Sequence, residues 1–146
     1  MREKLAYVLT LNKNDFQGSD DPLLRKLVAM LEKLPPVVVE DALHEYSLFP
    51  PSNFFSQGHL MALVQKHLAL YMRLPTVEKS WEAIQFYKRR YGAGQRIPID
   101  PTIDELIEYF GGWAYVVDNI NEYTWTKAYA QKIDTITKNK IMSITQ

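Results

Sequence analysis

Few residues in this 146-residue chain are of a type and spacing that does chemistry. The histidines are His44, His59 and His67, candidates for metal ligation or proton transfer. His59 and His67 fall two helical turns apart, too far to share a metal without a third ligand, and no glutamate stands with them in a zincin arrangement. His44 beside Glu45 reads as a surface pair. There is no cysteine, which excludes thiol nucleophiles, disulfides and cysteine-based zinc sites. Gly92-Ala93-Gly94 superficially resembles the opening of a dinucleotide fingerprint, but it follows a helical pattern rather than a strand and lacks the third glycine. No phosphate loop ending in Lys-Ser or Lys-Thr is present, and no serine sits at a strand-to-helix elbow. Asp104 and Glu108 stand at i, i+4 on the face opposite Ile103 and Leu106, the position of a solvated face rather than an acid–base pair. The expectation is a protein that is not an enzyme and holds no cofactor or metal.

Charge is more informative than catalytic chemistry. Lys plus Arg and Asp plus Glu number 17 each, so the net charge is zero and a grossly basic nucleic-acid coater is excluded. Locally the charges segregate. Lys88, Arg89, Arg90 and Arg96 fall within nine residues, flanked by Tyr87 and Tyr91. Between Ile97 and Glu122 there is no Lys or Arg, while Asp100, Asp104, Glu105, Glu108, Asp118 and Glu122 are all present. The first cluster is a candidate nucleic-acid-binding lip; Asp104, Glu105 and Glu108 are a candidate protein-partner surface. A plainer explanation serves both, because cations complement a helix C-terminus and anions a helix N-terminus. Tyr87 and Tyr91 fall with Ile84 on an apolar stripe and read as core.

The elements that must carry these residues are helices. Composition is that of a folded domain, 47% hydrophobic and 23% charged. Asp21-Pro22 and Asp100-Pro101 pair an N-cap with proline at the first helical position. Apolar residues recur at helical spacing in Leu24, Leu27, Val28, Leu31 and Leu34, then in Val39, Ala42, Leu43 and Tyr46. They recur again in Leu60, Leu63, Val64, His67 and Tyr71, in Trp81, Ile84, Tyr87 and Tyr91, and in Ile103, Leu106, Ile107 and Phe110. Trp125, Tyr129, Ile133 and Ile136 close the series. The pattern predicts an all-α fold with six helices near 22–34, 36–46, 57–72, 80–91, 101–111 and 123–137, as one or two small bundles. Ser80 or Thr76 caps the fourth, Gly111-Gly112 ends the fifth, and the tail after Thr137 frays. Leu74-Pro75 marks a boundary between an N-terminal helical subdomain, 1–74, and a C-terminal one with a tryptophan-rich core, 75–146. Trp81, Trp113 and Trp125 are expected to share that core. No apolar run reaches membrane-spanning length and the start lacks a signal-peptide pattern, so the expected location is cytoplasmic.

Two stretches carry a resemblance. Asp41 to Tyr46, followed by Ser52-Asn53-Phe54-Phe55-Ser56-Gln57-Gly58-His59-Leu60, looks like a helix ending in tyrosine that leads through a Phe-Phe turn into the next helix. Ser56 and Gln57 replace the prolines usual in that turn. Ser80-Trp81-Glu82-Ala83-Ile84, Arg90-Tyr91-Gly92, Asp100-Pro101-Thr102-Ile103, Gly111-Gly112-Trp113, Trp125 and Tyr129 resemble a C-terminal module that accompanies it. Together they are similar to phage and prophage replication accessory proteins of the non-ATPase helicase loader or inhibitor kind. The resemblance implies a non-enzymatic adaptor of mobile-element DNA replication that binds a replicative helicase or another replication protein, with weak nucleic-acid binding besides. Phe54, Phe55 and Trp113 join the acidic residues as candidate partner-binding positions. The alternatives are a helical DNA-binding protein and a structural or oligomerising phage-type protein.

Overall fold

A computed structural model describes residues 5–6, 22–51, 55–95 and 98–145. Among these residues the chain is all-α, with seven helices and no strand. They are α1 (Pro22–Leu31), α2 (Pro36–Leu48), α3 (Gln57–Tyr71), α4 (Val77–Tyr91), α5 (Pro101–Phe110), α6 (Trp113–Asn119) and α7 (Glu122–Thr145). Their residues group into two compact units, one up to Met72 together with residues 137–145, the other Arg73–Ile136. The expected caps at Asp21, and the candidate residues Phe54 and Arg96, lie outside the described residues. No described helix is long and apolar enough to cross a membrane.

The first unit is built on aliphatic stripes. Leu24, Leu27 and Leu31 of α1, Val38, Val39, Ala42, Leu43 and Tyr46 of α2, and Leu60, Leu63, Val64 and Leu68 of α3 form one buried cluster with Leu5 and Ile141. The β-branched run Val37-Val38-Val39 is helical because Pro36 at the first position fixes the entry and the burial pattern has helical period. Tyr46 is fully buried, and its hydroxyl accepts the backbone N–H of Ser56 at 2.9 Å. Ser56 in turn caps α3, its Oγ accepting the N–H of His59 at 3.1 Å. The α2–α3 turn is thereby fixed by the same tyrosine that fills the core. His67 and Tyr71, placed by sequence on the stripe of α3, are displaced from it: Leu68 takes the core position, His67 is half-buried and Tyr71 is exposed.

Glu45 pairs across to α3 rather than with His44. Its carboxylate accepts from Lys66 Nζ at 3.0 and 3.2 Å and lies 3.1 Å from His67 Nε2. The Lys66 bond, opposed by partial burial and aided by His67, holds the Glu45 carboxyl below the usual carboxylate range.

The C-terminal segment does not fray. Thr137 and Ile141 are buried in the first unit, and Gln65 Nε2 donates to Thr137 Oγ1 at 3.0 Å, so α7 continues to Thr145. The apolar residues there are too sparse to register as a stripe among the lysines.

The second unit is organised by three buried aromatic residues, Trp113, Trp125 and Tyr129, whose polar atoms are all hydrogen-bonded. Trp125 is fully buried; its Nε1 donates to Ser80 Oγ at 3.0 Å, and Ser80 Oγ donates to the Val77 carbonyl at 2.7 Å. Tyr129, also fully buried, donates to the Pro75 carbonyl. Burial first, and the Asp100 charge second, push its phenol well above the ordinary range, so it stays a neutral donor. Trp113 Nε1 donates to the Gly92 carbonyl at 2.8 Å. Trp81 packs half-buried against the same cluster, so all three tryptophans share it. Ser80 serves this network instead of capping α4; Thr76 is the cap, accepting the Lys79 N–H at 3.1 Å, and α4 accordingly starts three residues early.

Gly111 and Gly112 have φ of +117° and +107°, a conformation that L side chains rarely adopt. They end α5 and immediately seed α6, a helix the sequence pattern did not predict. Trp113 and Val116 are its buried residues, a pair at i, i+3 hidden behind the glycine stop.

Two measurements check this architecture. Trp113→Ala removes a large buried ring and leaves the Gly92 carbonyl without its partner, so urea unfolding should show a loss of about 3–5 kcal/mol. A stability unchanged within error would show that Trp113 is not a core residue. For Glu45 the sign follows from its depressed pKa: the pair stabilises the native state above the ordinary carboxylate range and the contribution disappears as pH falls through the lowered native value. Glu45→Gln should therefore flatten the acid limb of the stability–pH curve and leave the alkaline limb unchanged.

Candidate functional site

The described candidates divide by what already engages them. Asp104 is held by the fold: both carboxylate oxygens accept the Ile99 N–H at 3.2 Å, while Asp100 caps α5 by accepting the Thr102 N–H at 2.9 Å. These two carboxylates hold the loop-to-helix entry, and Asp104 is only half-exposed. Phe55 packs partly buried on the first core, its ring 5.7 Å from that of Tyr46. Trp113 is buried. Glu105 and Glu108 remain on the solvent side of α5.

Glu105 stands at a groove through its pair with Lys132. Leu106 and Tyr109 of α5 and Ala128, Gln131, Lys132, Thr135 and Ile136 of α7 line an open cleft of about 380 Å³ within the second unit. Leu106 supplies an apolar floor and is nearly buried, whereas Tyr109 is 81% exposed at the side. Lys132 Nζ bonds Glu105 Oε2 at 2.8 Å across the two helices, with the Glu105 side chain 69% exposed. Exposed pairs of this kind are worth only about 0–1 kcal/mol, so the pair orients the two side chains more than it stabilises the fold. The result is a shallow surface with an apolar base, a projecting phenol and an ion pair at its edge.

Tyr109 was not singled out by sequence, although a signal exists. The buried stripe of α5 is Ile103, Leu106 and Ile107 with Phe110 behind it, and Tyr109 falls off that stripe. An aromatic residue outside its helix's apolar face is the feature to look for.

The basic cluster sits elsewhere. Lys88, Arg89 and Arg90 are all exposed in the last turn of α4. Tyr91, expected in the core, is 38% exposed and stacks on Tyr87 at 5.8 Å, with the Arg90 guanidinium 5.7 Å over its ring. The stripe position exists, but α4 ends at Gly92 and there is no further turn to cover the ring. The α4 cations and the α5 glutamates are thus two separate clusters on two helices. Among the described residues, no three histidine, aspartate or glutamate side chains converge as metal ligands.

No family model matches the chain, and no curated protein or solved structure matches it.

The groove makes its own stability prediction. Tyr109→Ala should change unfolding free energy by no more than about 0.5 kcal/mol, as for surface positions in general, whereas Leu106→Ala should cost about 2–5 kcal/mol. Equal losses in thermal or urea unfolding would place Tyr109 in the core rather than on an available surface.

Proposed function

We propose that this chain is a non-enzymatic helical adaptor of mobile-element DNA replication, and that it binds a replicative helicase as loader or inhibitor. The resemblance carried by residues 41–60 and 80–129 supports the replication setting. The single observation that carries the adaptor reading is the α5–α7 groove, with Tyr109 projecting beside an apolar floor and the Lys132–Glu105 pair at its edge. Tyrosine is enriched at binding hot spots because one rigid ring supplies both apolar area and a hydroxyl. The glutamates on the solvent side of α5 contribute mainly to the rate and selectivity of encounter, favouring a partner segment that is apolar on one face and basic around it.

The test uses the purified chain and the purified hexameric helicase of its host. The adaptor reading expects Glu105→Lys/Glu108→Lys to slow association by about tenfold at low salt through lost steering, with a smaller change in dissociation. Tyr109→Ala should act mainly on dissociation. Circular dichroism should show both variants fully helical. Absence of any complex between the unmodified chain and the helicase would remove the helicase from the proposal.

A further inference from the structure

The outer face of α4 combines features that its role in the core does not require. Its buried residues are Ser80 and Ile84, with Val77, Trp81, Ala83 and Tyr87 packed partly against the same cluster. Phe86 lies two residues beyond Ile84, about 200° around a helix that turns 100° per residue. It therefore faces away from that cluster and is 50% exposed. Arg89 and Arg90 follow at i+3 and i+4, the two positions that neighbour Phe86 on a helix surface. The Phe86 ring meets Tyr87 edge-on at 5.4 Å, and Tyr87 stacks on Tyr91. Arg90 covers Tyr91. One short stretch thus holds an outward ring, Phe86, a part-exposed ring under Arg90, and three exposed cations.

Helix-end electrostatics accounts for only part of this. The macrodipole places roughly −0.5 charge at a helix C-terminus. Lys88, Arg89 and Arg90 bring three positive charges to it, so most of that charge is in excess of what the dipole attracts. The main chain is also served independently. Gly92 N–H donates to the Lys88 carbonyl at 2.9 Å, and the Gly92 carbonyl accepts from Trp113. The dipole argument moreover gives no reason for phenylalanine on the solvent face.

We propose that the last turn of α4 is a binding site for single-stranded nucleic acid. Phe86 offers a face for a base, and Lys88, Arg89 and Arg90 hold the phosphates, Arg90 from its place over the Tyr91 ring. Stacking requires bases with free faces, which a duplex keeps within its own stack, so the ring selects a single strand over a duplex. From Phe86 to Tyr91 the helix rises about 8 Å at about 1.5 Å per residue. That matches two or three nucleotides at about 3.4 Å spacing. So small a footprint makes the affinity weak and salt-dependent and the sequence preference slight. The site uses α4 alone and stands or falls separately from helicase binding at α5 and α7.

The test is fluorescence anisotropy of the full chain with a dye-labelled oligo(dT) of twenty nucleotides and with a duplex of the same length. The single strand should bind more tightly. Its log–log salt slope should be about −2, from three contacts at about 0.7 each, and Arg89→Ala/Arg90→Ala should reduce the slope by about 1.4. Phe86→Ala should weaken binding by about 5- to 150-fold, the range for one lost base stack, with the slope unchanged. Phe86→Trp should restore it. All the substituted side chains are exposed, and the helical circular dichroism signal should be retained throughout. No binding of oligo(dT) at low salt would overturn the proposal. So would equal binding of the duplex together with an unaffected Phe86→Ala, because the cations would then be acting without the ring.

Discussion

A buried aromatic ring with a polar atom must bring that atom to a partner, and the second unit is arranged around this requirement. An unsatisfied N–H or O–H in the interior costs about 1–3 kcal/mol, which is large against the net stability of a small domain. Trp125 reaches Ser80 on the first turns of α4, Tyr129 reaches the Pro75 carbonyl just before them, and Trp113 reaches the Gly92 carbonyl just after the helix ends. Both ends of α4 are therefore fixed by donors from α6 and α7. Ser80 can serve only from inside the helix, which is why Thr76 takes over the capping role. The two glycines at positive φ follow from the same requirement, since they turn the chain within two residues and start the helix that carries Trp113. Among the described residues no buried side-chain nitrogen or oxygen lacks a partner.

The first unit meets its constraint differently. Its core is aliphatic apart from Tyr46, whose one polar atom takes the N–H of the residue that caps the next helix. A single hydroxyl couples core packing to the geometry of the α2–α3 turn. The half-buried Phe55 ring beside it extends the same contact, which makes packing the first role of that residue.

How much of this was legible follows from which signals are local. The Asp100-Pro101 start, the Gly111 stop and the stripes of α2 and α5 are read from spacing alone, because cap chemistry and helical period lie within a few residues of one another. What escaped depends on residues far apart in sequence. Ser80 looks like a cap until Trp125, forty-five positions later, claims its hydroxyl. Residues 138–145 look like a polar tail until Ile141 finds a core built from α1 to α3. Asp104 looks like a surface charge until the Ile99 N–H turns back to it. The clusters of charge were visible in sequence, but their division into fold-holding and outward-facing members was not, since it depends on where the backbone amides point.

The two rings on which the proposals rest share one property that is visible in sequence once stated. Phe86 and Tyr109 are aromatic side chains off the apolar stripe of their own helices. Fully burying a phenylalanine is worth about 1.5–3 kcal/mol relative to exposing it, so an outward ring forgoes stabilisation that an inward one would supply. Each sits beside charged neighbours, Glu82, Arg89 and Arg90 for the first and the Glu105–Lys132 pair for the second, and on a helix whose inner face is already secured. A rigid helix holds such side chains at defined spacing without having to reorganise when it binds, which lowers the entropic cost of recognition. On the two proposals above, the partners would differ in kind: an anionic strand at α4, a protein segment at α5. Zero net charge does not argue against either proposal, because selectivity is set by the charges that share a face and not by their sum.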